Sequence, residues 1–226
     1  MDIATDRPPP VVTISAAYGA GGGFIGPRVA ERLGVTFVDR AVTAAVAADI
    51  AQRAEDVASI EEDLGGGVSH WLSSFADAAG LWGIAPNPAS WFHDENSYKR
   101  HVAAVLSREA ARGAVILGRG AQVVLRTVPW ALHVRLDGPA ERRIAQAVEL
   151  GGLDEPAARR AQQRTDVARH RYFHRLYGGD LTDARYYHLL IDATAVPWAS
   201  CVDIIVTAVR GRDELRHLDD ITGDTP

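Results

Sequence analysis

The stretch Val11–Gly26, VVTISAAYGAGGGFIG, constrains this chain more than any other part of its sequence. The run Val11–Ser15 is continuously apolar, which suits a strand buried on both faces of a parallel sheet. Glycines follow at 19, 21, 22, 23 and 26. Pro27 then falls near the start of a helix whose Val29, Ala30 and Leu33 share one face and which Gly34 stops. A helix N-terminus carries unpaired N–H groups and partial positive charge, so it holds anions. Glycines let the preceding backbone close around such an anion.

Two phosphate-binding patterns overlap here. The pattern G-x-x-x-x-G-K-[ST] needs a Lys for the outer phosphates and a hydroxyl for Mg²⁺. Gly22, and Gly23 or Phe24, stand in those places, so the turn has the shape for phosphate without the charge. Gly21-x-Gly23-x-x-Gly26 also matches the dinucleotide fingerprint, with Asp39 at the end of the next strand placed for a ribose. Its first glycine lies well past the strand, where that fingerprint turns at once.

The chain has 226 residues, 47% hydrophobic and 23% charged, enough for one globular domain with a sizeable core. A net charge of −5 argues against a nucleic-acid or membrane-surface partner. The single Cys201 precludes an internal disulfide and sits in an apolar helical pattern as a core residue. No signal peptide and no apolar run of about 20 residues is visible, so a cytoplasmic location is expected.

Further strands are expected at Val35–Val38, Ala114–Leu117, Ala131–Leu136 and His188–Asp192. Helices are expected from Ala41, from a Ser97 cap to Gly113, from Pro139 to Leu150, over Ala157–Leu176, and from Pro197 to about Gly211. This alternation predicts an α/β fold, a five-stranded parallel sheet sandwiched by helices. The stretch between Asp39 and Ala114 is too long for one crossover and predicts a helical insertion at 41–96, a flap over a nucleotide site. Its Trp71, Phe75, Trp82, Trp91 and Phe92 suit the packing of that insertion or a homodimer interface. The expected organisation is a loose tail at 1–10, one domain at 11–212 and an acidic tail at 213–226.

Arg119 follows the third strand directly, where an open α/β sheet binds ligands, and could grip a phosphate bidentately. Arg159, Arg160, Arg164, Arg169, Arg171 and Arg175 form a cationic segment opposed only by Asp166. As a mobile lid at 155–178 it would stabilise a transferring phosphoryl group. His170 and His174 have the i, i+4 spacing of a metal pair, but no partner ligand motif surrounds them and no metal site is assigned.

Together these segments resemble the cytidylate kinase-like family of P-loop nucleoside monophosphate kinases. Ser15–Gly26 matches the frame S-R-E-Y-G-S-G-G-R-E-I-G, and Val115–Ala121 resembles V-I-V-G-R-x-A. Asp166-x-x-Arg169-x-Arg171-Tyr172, Tyr177-Gly178 and Tyr187–Asp192 resemble the lid and fifth strand. The resemblance implies an insertion that binds a nucleoside monophosphate, a lid, and transfer of the γ-phosphate of ATP, with Mg²⁺, to a monophosphate such as CMP. It implies that Gly19, Ala20, Gly21, Gly22 and Gly23 wrap the ATP phosphates. Asp39, Arg119 and Asp166 would bind the substrate, and Arg164, Arg169 and Arg171 would act in catalysis. The chain departs from the family at Ala16 and at Gly23-Phe24, where the family has Arg and Arg-Glu. The Lys of typical cytidylate kinases falls at Gly22. These departures allow an alternative, a weak or inactive nucleotide-binding protein with the same fold; an NAD(P)-binding protein is the remaining one.

Overall fold

The computed structural model describes residues 8–39 and 95–222. The chain divides into two units, Met1–Val38 with Ala103–Pro226, and Asp39–Val102. Residues 1–7 of the tail expected at 1–10, the helix from Ala41 and nearly all of the 41–96 insertion, with its five aromatics, lie outside the described residues. Among the described residues, no helix is long and apolar enough to cross a membrane.

The strands β1 (Val11–Ala16), β2 (Thr36–Val38), β3 (Ala114–Leu117), β4 (Ala131–Asp137) and β5 (Leu189–Asp192) form one parallel sheet in the order β2-β3-β1-β4-β5. The described helices are α1 (Gly22–Leu33), α2 (Glu95–Arg112), α3 (Ala121–Val124), α4 (Ala140–Gly151), α5 (Glu155–Tyr177) and α6 (Trp198–Thr222). The expected five-stranded α/β fold is therefore the observed one.

Strand alternation gives the sheet two different faces. Val12 is level with Val115 and Leu132, and Ile14 with Leu117 and Val134. This apolar face packs on Ile25 and Val29 of α1 and on Cys201, Ile205 and Val206 of α6, all buried. The other face carries Thr13, Ser15, His133 and Arg135, which are buried as well. Burial of polar groups requires partners. Thr13 Oγ1 lies 2.8 Å from His133 Nδ1, the His133 backbone N–H donates to His188 Nδ1 at 2.9 Å, and the two imidazoles stack 4.9 Å apart.

The strand order separates the two phosphate patterns. In the dinucleotide fold the second strand lies beside the first. Here β3 intervenes between β1 and β2, so the end of β2, which leads to Asp39, is not next to the glycine turn. Gly26 instead serves helix–sheet packing, since a Cβ there would lie 2.5 Å from Phe37 Cε2.

Four boundaries differ from expectation. Helix α1 starts at Gly22, which puts Pro27 inside it and leaves the Gly23 carbonyl without its i+4 donor. Ser97 lies in the first turn of α2 rather than at its cap. Helix α6 continues past Gly211 to Thr222, since one interior glycine costs only about 1 kcal/mol. Pro10 is tied down by the Ala114 N–H, which donates to its carbonyl at 3.0 Å.

Candidate functional site

Beyond β1, Gly19 (φ 77°) and Gly21 (φ 73°) take left-handed conformations that glycine adopts without steric cost. Gly21 is the N-cap of α1. As a glycine it brings no capping side chain, and the first turn holds no acidic residue. The first helical amides, those of Gly22 and Gly23, have no intrahelical acceptor. The turn therefore presents an uncompensated positive helix end at the carboxyl edge of the sheet.

Close packing fixes the turn. A Cβ at Gly19 would run into the Arg143 carbonyl. One at Gly21 would meet Trp198 Cε2 at 2.5 Å, and one at Gly22 would meet Ala16 Cβ at 2.5 Å and Leu117 Cδ1 at 3.1 Å. A Lys at position 22 does not fit this backbone. Gly23 has no atom within 4 Å of its would-be Cβ among the described residues.

The chain's own charges hold the turn from outside. Tyr18 N–H donates to Asp166 Oδ1 at 3.0 Å, and Arg143 Nη1 donates to the Tyr18 carbonyl and to Asp166 Oδ2, each at 2.8 Å. Arg169 Nη1 donates to the Ala16 carbonyl at 2.6 Å. Burial pushes the Asp166 carboxyl up, but hydrogen bonds from Tyr18, Gln162 and Arg143 outweigh it and hold the group below its ordinary value. Asp166 is thus a carboxylate seated on the turn's own backbone.

Helix spacing explains which lid residues arrive here. Ala158, Gln162, Asp166, Arg169, Phe173 and Leu176 recur at intervals of three and four and form the inward stripe of α5. Arg169 is the arginine on it. Arg164 is half-buried, with no hydrogen-bond partner for its Nε among the described residues. Arg171 is exposed. Arg159 points to the surface, paired with Glu141 at 2.7 Å and Glu155 at 2.9 Å. Glu141 of α4 and Glu155 at the start of α5, both outside the Arg159–Arg175 segment, thus add to Asp166 in opposing its arginines. The segment is helix α5, and it meets the glycine turn through Asp166 and Arg169 and the Arg119 turn through Tyr177.

Gly118, Arg119 and Gly120 all have positive φ, 84°, 66° and 68°. For Arg119 that conformation costs about 1–2 kcal/mol. Tyr177 of α5 holds it by donating its hydroxyl to the Arg119 carbonyl at 2.7 Å. Because β3 neighbours β1, this turn and the glycine turn emerge from adjacent strands. Asp39 follows β2 and belongs to the other unit.

Two cavities flank the glycine turn. One of about 140 Å³ lies under α5 and is lined by Ala16, Arg135, Asp137, Arg143, Asp166 and Arg169. The other, about 400 Å³, is lined by Phe24, Gln146, Leu150, Thr194, Val196 and Trp198. Phe24 and Trp198 rings lie 4.7 Å apart, and the Trp198 Nε1–H donates to the Ala193 carbonyl at 3.1 Å. Gln146 Nε2 donates to the same carbonyl at 3.1 Å, which leaves its buried Oε1 as an unused acceptor.

The donor set does not fit a protein-held Mg²⁺. Positions 22–24 offer no hydroxyl, and no group of three or more His, Cys, Asp and Glu side chains converges among the described residues. Arg143, Arg135, Gln146 and Trp198 were not candidates from sequence. Arg143 shares a helix stripe with Ala140, Ala147 and Leu150, and that misplaced charge on an apolar stripe is the signal for it.

A model of the cytidylate kinase-like family matches residues 11–195. Among solved structures, an uncharacterised protein from Eubacterium ventriosum superposes with a TM-score of 0.60 at 16% identity, covering 89% of this chain and 98% of that one. A gluconokinase from Sinorhizobium meliloti superposes with a TM-score of 0.51 at 17% identity, covering 94% and 98%. Both show likeness of fold. A uronate isomerase from Corynebacterium glutamicum is 30% identical over 94 residues, 42% of this chain and 18% of that relative, so the chain spans under a fifth of its length.

Proposed function

This chain belongs to the cytidylate kinase-like family, and on that premise we propose that it transfers the γ-phosphate of ATP to a nucleoside monophosphate of the CMP kind. The observation that carries this is the uncapped, acid-free N-terminus of α1 at the carboxyl edge of the sheet. Its amides would hold phosphate oxygens, with Gly19–Gly23 as the cradle. The 400 Å³ cavity beside it is the candidate nucleobase site: Trp198 offers apolar surface, and Phe24 lines it with the Arg28 guanidinium 3.2 Å over its own ring. Arg164, Arg169 and Arg171 would neutralise charge on the transferring group, and Arg119 with Asp39 and Asp166 would address the acceptor. Mg²⁺, which the family implies, would be carried by nucleotide phosphates.

A second function is favoured by one specific observation, the lack of room for a Lys at position 22. Without that cation the chain would bind nucleotide and turn it over weakly or not at all. Incubating the purified protein with ATP, Mg²⁺ and each nucleoside monophosphate, with phosphorus NMR as readout, separates the two. The kinase assignment expects a diphosphate product with a CMP-like acceptor. ATP binding by calorimetry without product supports the second function. Stabilisation by NAD⁺ alone, with no ATP binding, contradicts both.

A further inference from the structure

Three consecutive peptide groups at the start of the glycine turn are each held by a charged side chain. Arg169 takes the Ala16 carbonyl, Asp166 the Tyr18 N–H and Arg143 the Tyr18 carbonyl. Arg143 stands at the centre. Its Nε donates to the Gly138 carbonyl at 2.8 Å, and its Nη1 bridges Tyr18 and Asp166. Asp137 Oδ1 lies a further 3.5 Å from Nε. The side chain is only 8% exposed. Its own backbone carbonyl closes on Gly19, where no Cβ fits.

We propose that Arg143 is a positioning residue: it sets the anion-binding shape of the glycine turn and ties that shape to α5 through Asp166. The planar guanidinium reaches all three elements at once, the β4–α4 connection, the turn and α5. A lysine ammonium has the charge without the fixed fork. Removing the guanidinium would leave Asp166 as a poorly compensated half-buried carboxylate and would free the Tyr18 peptide to turn. The turn carries no Lys of its own, so its preorganisation comes from this outside strut. The functional part of the proposal rests on the assignment of Gly19–Gly23 as the nucleotide phosphate cradle.

Amide hydrogen exchange in the absence of ligand, on wild type, Arg143→Met, Arg143→Lys and Asp166→Asn, tests the strut. Arg143→Met should speed exchange over residues 16–23 by about tenfold or more, the scale of one charge-assisted hydrogen bond, while β3 and α6 stay within about twofold. Arg143→Lys should recover part of the protection, and Asp166→Asn should speed the same segment. In calorimetry the Met variant should bind ATP about tenfold or more weakly, with partial rescue by Lys. Unchanged exchange over 16–23 in a folded variant, or an equal rise across the whole sheet, overturns the proposal. Should Arg143→Met fail to fold, the Lys and Asn variants decide by the same comparison. If exchange changes as expected but wild type binds no ATP, the strut stands and the nucleotide assignment fails.

Discussion

A single methyl group added at Gly22 or at Gly23 should have opposite effects. At Gly22 the new Cβ would lie 2.5 Å from Ala16 Cβ and 3.1 Å from Leu117 Cδ1. The Ala16 methyl is fixed to β1 and has no rotamer in which to move away, and Leu117 is buried in the sheet. Overpacking of this kind costs about 1–3 kcal/mol. At Gly23 the same methyl meets nothing within 4 Å, and replacing a helical glycine by alanine gains roughly 0.5–1 kcal/mol. A domain of this size shifts by roughly 2–4 °C per kcal/mol. Thermal melts followed by circular dichroism without ligand should show Gly22→Ala lower than wild type by about 2–12 °C and Gly23→Ala higher by about 1–4 °C. A Gly22→Ala protein as stable as wild type would refute the packing argument. The same geometry predicts that Gly22→Lys does not repair the missing cation, whereas Gly23→Lys tightens ATP binding by about tenfold or more through a new charge-assisted contact.

Burial, with His188, Arg212 and Arg126 nearby, lowers the His133 pKa from 6.5 to about 4. The unfolded state therefore takes up a proton first, so stability is full above about pH 6.5 and falls by up to about 3 kcal/mol as pH drops toward 4. Urea titrations of wild type and His133→Gln should diverge in this pH dependence, and parallel curves would count against the buried neutral imidazole. Arg171→Ala should change stability by under about 0.5 kcal/mol, since the side chain is exposed, yet lower turnover; an unaltered rate would remove Arg171 from the machinery. Arg119→Gly relieves a left-handed arginine, so it should raise the KM for the monophosphate acceptor without a matching drop in melting temperature. A fall in melting temperature with unchanged KM would make Arg119 purely structural.

The sheet was legible because its strands are short and apolar-rich and several stop at glycine or aspartate, as at Leu117-Gly118, Val38-Asp39 and Leu136-Asp137-Gly138. Helix α5 was legible as a helical segment, though its arginines look equivalent in sequence. Only the stripe that buries Phe173 and Leu176 separates Arg169 from Arg159 and Arg171. Arg143 interrupts an apolar stripe and Arg135 alternates with Val134 and Leu136, yet neither pattern establishes burial, because a charged residue is ordinarily solvated. Their burial depends on Asp137, Asp166 and three backbone carbonyls brought together from distant parts of the chain. Trp198 was hidden for the same reason, since its packing on Gly21 depends on how β5 returns beside β4. The exclusion of a dinucleotide site came from strand order, which local periodicity does not encode.

The central claim is that nucleotide phosphates sit on the N-terminus of α1. Backbone amide NMR during ATP titration tests it most directly. The amides of Gly21, Gly22 and Gly23 should shift first and most, with Phe24 and the Trp198 indole N–H following. Saturation with ATP that moves none of the three glycine amides, while other residues respond, would contradict it.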